Sequence, residues 1–149
     1  MPVSYTERAW PSCQMSRCMH TLLALELLLA SHAALASPCD AVNRDLPRTQ
    51  AAQWAGAIAK QLEVPSVKVL QTFALRGWNI VYVETPNSDP PFVFFHGAPD
   101  TVHYVALWSG GAGADEEASI REWTIQSAPG IPADLAKCFA WHVTKARDL

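Results

Sequence analysis

Four short segments in the middle of the chain are rich in apolar residues, the first with partial alternation of apolar and polar positions, which is the pattern of β-strands. These segments are residues 67–75, 78–84, 92–95 and 102–108. Residues 78–84 are rich in valine and aromatic side chains, which favour extended backbone, and residues 92–95 are apolar throughout. Short turn-forming segments separate neighbouring strands, so the pattern predicts an antiparallel meander.

The phase of the alternation predicts which side chains share a face of the sheet. In the first strand, Val67, Val69 and Phe73 fall in one phase. The second strand has two alternating sets: Trp78, Ile80 and Tyr82 on one face, and Val81 and Val83 on the other. Because both sets are apolar and helices are expected on one face, part of the second face is a candidate partner surface. The alternative is that all of these side chains belong to the core.

Helical periodicity precedes the strands. It predicts a helix over residues 49–62, capped by Thr49 and ended before Pro65, which cannot continue it. The apolar residues at helical spacing are Ala51, Ala55, Ile58, Ala59 and Leu62.

Two further helices are predicted after the strands. The first covers residues 116–127 and is capped by Asp115, although β-branched residues within it leave a fifth strand over residues 119–126 as the alternative. The second covers residues 132–144, where Pro132 suits the first turn. The predicted fold class is therefore α+β: a small four-stranded antiparallel sheet with an N-terminal helix and two C-terminal helices on one face, in a single domain.

An apolar run at residues 21–36 ends in Ala-Leu-Ala and is typical of a secretory signal peptide cleaved after residue 36. A transmembrane anchor is the first alternative, but the run is shorter than the ~20 residues that a span needs, and it contains Glu26. A lipoprotein is the second, but Pro38 stands where the lipid-attachment motif needs a small residue before Cys39. We therefore predict an exported protein, periplasmic or secreted, whose domain is residues 37–149. Its translation start is predicted at Met15 or Met19.

Charge and cysteine content narrow the possible partners and the compartment. A net charge of −3 argues against nucleic-acid binding and against a polybasic membrane surface. Cys39 and Cys138 are the cysteines that follow the signal, and an oxidising compartment favours a disulfide between them. Two buried thiols, or a reactive Cys138, are the alternatives.

Aromatic and acidic residues are the candidates for recognition of another protein, because aromatic side chains dominate such contacts and exposed loops carry binding residues. The candidate binding residues are Trp78, Tyr82, Asp89, Phe94, Trp108, Asp115, Glu116 and Glu117. A homodimer is a further alternative.

Catalytic and metal-binding patterns are weak. His96, Asp100 and His103 supply ligand types suited to zinc, but their spacing matches no compact ligand pattern. No cofactor is predicted, and no catalytic residue is assigned. The sequence therefore favours a disulfide-stapled binding protein of inhibitor, immunity or accessory type that acts in the cell envelope. A small metal-dependent or hydrolytic enzyme that uses those three residues is one alternative, and a carrier of a small apolar ligand is another.

Overall fold

The computed structural model describes residues 37–146, so the predicted signal peptide and translation start lie outside the described residues. The helices and strands, in chain order, are α1 (Arg48–Gln61), β1 (Lys68–Leu75), β2 (Trp78–Glu84), β3 (Phe92–His96), β4 (Ala106–Trp108), α2 (Glu117–Ser127) and α3 (Ala133–Lys145). The strands pair antiparallel in the order β1-β2-β3-β4. The predicted α+β fold with a meander is confirmed, and α2 is a helix rather than a fifth strand. Within residues 37–146, no helix has the length and apolar character needed to cross a membrane.

Helices cover both faces of the sheet, because β2 and β3 carry apolar side chains on both sides. On one face, Ile80 and Phe94 are buried in a cluster with side chains of α2 and α3 such as Phe139. On the other face, Val81 and Phe95 are buried with side chains of α1. The expectation that all helices pack on one face is therefore wrong, since a strand with two apolar faces is stable only when both are covered.

A β-bulge in β1 changes which face its side chains reach. Val69 pairs with Val83, but the next pair joins Gln71 and Tyr82, so Leu70 is an extra residue in β1. One extra residue moves the following side chains to the opposite face. Val69 consequently packs on the α1 side, whereas Phe73 packs on the side of α2 and α3. The predicted common phase is wrong for Phe73.

A two-residue turn joins β1 and β2. Arg76 and Gly77 both have positive φ values, 50° and 81°, between the paired residues Leu75 and Trp78. Two central residues with positive φ are the signature of a type I′ turn, whose twist matches the strands of a hairpin. This turn sets the register of the first hairpin.

The segment before α1, residues 37–45, is bonded to α3 and packs on the edge of β1, and we call it the strap. Cys39 forms a disulfide with Cys138 of α3, as predicted. Asn43 exchanges two backbone hydrogen bonds with Ala74 at the outer edge of β1, with N–O distances of 2.9 and 2.8 Å. Arg44 lies 4.0 Å above the centre of the Phe73 ring, and its partial burial lowers the pKa of its guanidinium. The strap therefore covers the end of the β1 edge.

The predicted helix caps are wrong. Pro47 rather than Thr49 precedes the first turn of α1, and Glu116 rather than Asp115 precedes that of α2. Neither residue donates or accepts a side-chain cap hydrogen bond within its helix. The Glu116 carboxylate instead accepts a hydrogen bond from the backbone N–H of Gly113 and so closes the loop before α2.

Candidate functional site

The outermost strand β4 and the residues before it carry a group of exposed apolar side chains. Tyr104, Val105 and Leu107 are 40%, 44% and 38% exposed, and we call these three residues the edge strip. Among the described residues, Leu70 and Ile125 are the other large hydrophobic side chains with comparable exposure, and they lie in separate elements. A cluster of exposed apolar side chains on a sheet edge is typical of an association site.

Gln61, the last residue of α1, positions the chain that leads into the edge strip. Its side-chain amide donates hydrogen bonds to the carbonyl oxygens of Pro99 and Val102, at 2.8 and 3.0 Å. Its amide oxygen accepts a hydrogen bond from the backbone N–H of Tyr104, at 2.9 Å. These contacts satisfy backbone groups that a loop cannot pair within itself. The edge strip is therefore held by a helix of the scaffold.

A groove of about 350 Å³ lies beside the edge strip, and we call it the edge groove. Its lining comprises Leu62, Val64, Pro91 and Leu107, together with the polar residues Thr85, Ser88, Asp89 and Ser109. Asp89 is the one ionisable group among these lining residues. The groove thus has a mixed lining of four apolar and four polar residues, with a single negative charge.

The two outer strands of the sheet are protected to different degrees. At β1, the strap occupies the edge near Ala74, a bulge interrupts the strand at Leu70, and Lys68 begins it. Straps, bulges and lysines are the devices by which proteins prevent strand addition at an edge. β4 contains no lysine and no register shift, and no described segment pairs with its outer side, although its length of three residues is itself a protective feature. Within residues 37–146, the β4 edge is therefore the less protected of the two.

The aromatic candidates lie within or against the core rather than on an open sheet face. Trp78 is 4% exposed and Phe94 is 0% exposed, so neither contacts a partner at the surface of this fold. Tyr82 is half-buried and stacks on Phe92, with ring centres 4.2 Å apart. Trp108 is half-buried and packs against the Phe139 ring. Of the two interpretations of these residues, the structure favours the one in which they pack in or against the core, because helices cover both faces.

The acidic candidates are divided between two places. Asp89 lines the edge groove, whereas Asp115 and Glu117 line a separate groove of about 770 Å³ around α2. Glu117 forms an ion pair with Lys145, and Arg121 also lines that second groove. The second groove therefore carries both signs of charge.

The candidate metal ligands do not converge. His96 stacks on Trp78, with ring centres 4.8 Å apart. Asp100 and His103 line a groove of about 420 Å³ that does not include His96. Within residues 37–146, no group of three His, Cys, Asp or Glu side chains is arranged to hold a metal ion.

Comparison with known proteins adds no assignment to this geometry. No family model, curated protein or solved structure matches the chain. The function must therefore be argued from the site, because a fold of this kind supports many unrelated activities.

Tyr104, Val105 and Leu107 lie in a predicted strand that is apolar on both faces, but the sequence singles out only Trp108 of this strand as a binding residue. In a meander, however, the last strand is by topology an edge strand. Apolar residues of both phases in a strand with one neighbour are the signal that indicates an exposed edge.

Proposed function

We propose that this protein is an exported binding protein that recognises another protein through the edge strip and the outer edge of β4. The observation that carries the proposal is the exposure of Tyr104, Val105 and Leu107 at the less protected sheet edge. An extended segment of a partner pairs with such an edge by backbone hydrogen bonds, and the adjacent side chains give specificity.

The energy available from this surface indicates how the partner must bind. Complete burial of a Val, Leu or aromatic side chain contributes about 1.5–3 kcal/mol, and each residue of the edge strip is about two-fifths exposed. Burying the whole strip therefore contributes roughly 2–4 kcal/mol. A dissociation constant of 1 μM corresponds to about 8 kcal/mol. Recognition through the strip thus requires further contacts, which the backbone of β4 and the edge groove provide.

The alternative functions receive less support from the geometry. A carrier encloses its ligand, but side chains on both sheet faces are packed against helices. An enzyme built on His96, Asp100 and His103 needs these groups to converge, whereas one of them is stacked on Trp78 and the other two line a different groove. Binding through the sheet edge is the function that the geometry favours.

Export is the second part of the proposal. Its support is the apolar run at residues 21–36 together with the Cys39–Cys138 disulfide, since structural disulfides form and persist in oxidising compartments. Binding would accordingly take place in the cell envelope or outside the cell.

Site-specific photocrosslinking in the producing cell tests this proposal. A photoreactive phenylalanine analogue replaces Ser109, which lines the edge groove, so that the edge strip itself stays intact. We expect a crosslink to one defined protein that is lost when Val105→Ser and Leu107→Ser are added. The matched control Ile125→Ser removes a similarly exposed apolar side chain from α2 and should leave the crosslink unchanged. A crosslink that is absent, or that is identical in all three proteins, would contradict the proposal.

A further inference from the structure

The backbone of Leu107 faces away from the sheet. Val83 of β2 donates a hydrogen bond to the carbonyl of Pro91, and backbone groups in an antiparallel sheet alternate in direction along each strand. Pro91 therefore faces β2, and Phe94, three residues later, faces β4, where its carbonyl accepts a hydrogen bond from the N–H of Val105 at 2.7 Å. Phe94 also pairs with Ala106, so the backbone of Ala106 is turned toward β3 as well, and the regular alternation resumes from Ala106 onward. Leu107 is the next residue in β4, so its own N–H and C=O point outward. One residue thus offers both an exposed side chain and a pair of backbone groups.

The side chain of Leu107 shows on which face of the sheet an added strand would meet the edge groove. Leu107 pairs with Val93, whose side chain lies on the α1 face, and it also lines the edge groove. A residue of an added strand directly opposite Leu107 would share that face, with its Cβ about 5 Å from that of Leu107. Its side chain would therefore lie beside Leu107, on the face of the sheet that carries the edge groove.

The charge at the groove selects among such strands. Asp89 is exposed and no lysine, arginine or histidine lines the edge groove. A basic residue beside the inserted apolar side chain would pair with this carboxylate, whereas an acidic residue would be repelled. A second copy of this chain would bring a second Asp89 and a net charge of −3 to the same surface, which disfavours that occupant.

From these observations we propose that the occupant is an extended segment of another protein, in which apolar residues alternate with polar ones and at least one neighbour is lysine or arginine. This inference rests on the proposed function and specifies the partner's chemistry. The apolar side chain opposite Leu107 fills the edge groove, the backbone pairs with that of Leu107, and the basic residue pairs with Asp89.

Three synthetic peptides of one length test the proposal: acetyl-KVTIKVT-amide and its variants with glutamine or glutamate in place of both lysines. Each is titrated into the isotopically labelled, disulfide-intact protein at 0.15 M salt, and backbone amide shifts are followed by NMR. An exposed ion pair contributes about 0.2–1 kcal/mol, so the lysine peptide should bind about 1.4- to 5-fold more tightly than the glutamine peptide. The glutamate peptide should bind more weakly than both. The shifts should centre on Leu107 and Ser109.

Variants assign the effect to its residues. Asp89→Asn should remove most of the difference between the lysine and glutamine peptides, while Asp115→Asn, an exposed carboxylate in the other groove, should not. Leu107→Arg should abolish the shifts, while Ile125→Arg should preserve them. Equal binding of all three peptides, or shifts that persist in the Leu107→Arg protein, would each overturn the inference. No binding at 2 mM peptide would also overturn it, because weak but specific binding with a dissociation constant of about 1 mM would be detected at that concentration.

Failure of this inference is distinguishable from failure of the proposed function. If the photocrosslink depends on the edge strip but the peptides show no charge preference, the function stands and the partner's chemistry is different. If sedimentation shows a dimer that Leu107→Arg dissociates, the occupant is a second copy and the inference is wrong. The absence of any crosslink that depends on the edge strip would refute the function itself.

Discussion

Removal of the Cys39–Cys138 disulfide should lower the stability of this domain by a large fraction of its total. The bond joins the strap to α3 across a sequence separation of 99 residues. In the chain-entropy description, cross-linking a loop of this length destabilises the unfolded chain by about 4–5 kcal/mol. The total stability of a small domain is about 5–15 kcal/mol. The reduced protein is therefore expected to be marginally folded.

Reduction should also act locally, because the disulfide anchors the strap. Once the bond is broken, the strap is held by its backbone pairing between Asn43 and Ala74, by the burial of Val42 and by the contacts of Arg44 with β1. These contacts lie at the edge of the sheet rather than in its core, so the strap should open before the core unfolds. Trypsin should then cleave the reduced protein after Arg44 at a denaturant concentration where the oxidised protein resists.

Urea unfolding of the oxidised protein, of the same protein in reductant and of the Cys39→Ala, Cys138→Ala variant gives the measurement. With a denaturant dependence of about 2 kcal/mol per M, a loss of 4–5 kcal/mol lowers the midpoint by about 2 M. The reduced protein keeps both sulfur atoms, so comparison with the double variant separates the cross-link from side-chain packing. Cys13→Ala and Cys18→Ala, which lie before the predicted cleavage site, are the controls in the full-length chain. A loss below 1 kcal/mol at unchanged denaturant dependence would refute the reasoning.

Three further outcomes follow from the fold. Gln61→Ala removes three hydrogen bonds to the backbone of Pro99, Val102 and Tyr104. We expect the free energy of unfolding to fall by about 1.5–4 kcal/mol and hydrogen exchange at the Tyr104 amide to become faster. Unchanged exchange would show that Gln61 does not position the strip. Gly77→Ala should lower the free energy of unfolding by about 1–2 kcal/mol, because the φ of Gly77 is 81°. Gly56→Ala should raise it by about 0.5–1 kcal/mol, because Gly56 lies within α1 and has open space around the added carbon. Equal midpoints of the two variants in thermal unfolding would contradict this. The mass of the exported protein should correspond to a chain that begins at Ser37, and a mass that includes residues 1–36 would disprove cleavage there.

The parts of the fold that sequence analysis predicted well are those that local patterns determine. The second strand is predicted at its observed bounds, Trp78–Glu84, because it is rich in β-branched and aromatic residues. The fourth strand was predicted from residue 102 but begins at Ala106. The difference arises because Gln61 binds the backbone of residues 99–104, a contact between distant parts of the chain that no local pattern reveals. The phase error at Phe73 has the same character, since the bulge that causes it depends on pairing with β2.

The candidate site was harder to predict because residue type was used where position decides. Trp78 and Phe94 are typical interface residues by type, but α2 and α3 cover the face on which they lie. Asp89 was selected only as an exposed acidic residue, and its place beside Leu107 depends on how the loop after β2 packs near the end of α1. Periodicity predicts that a side chain is buried or exposed on its own strand. It does not predict which elements surround it.

The protection of one sheet edge and the exposure of the other are connected through the disulfide. Without the strap, β1 would present the backbone of Ala74 to solvent, and only the bulge at Leu70 and Lys68 would protect that edge. The Cys39–Cys138 bond ties the strap to α3 and so helps to hold it on that edge. Under the proposed function, a bond that stabilises the fold by constraining the unfolded chain would also favour strand addition at β4 over strand addition at β1.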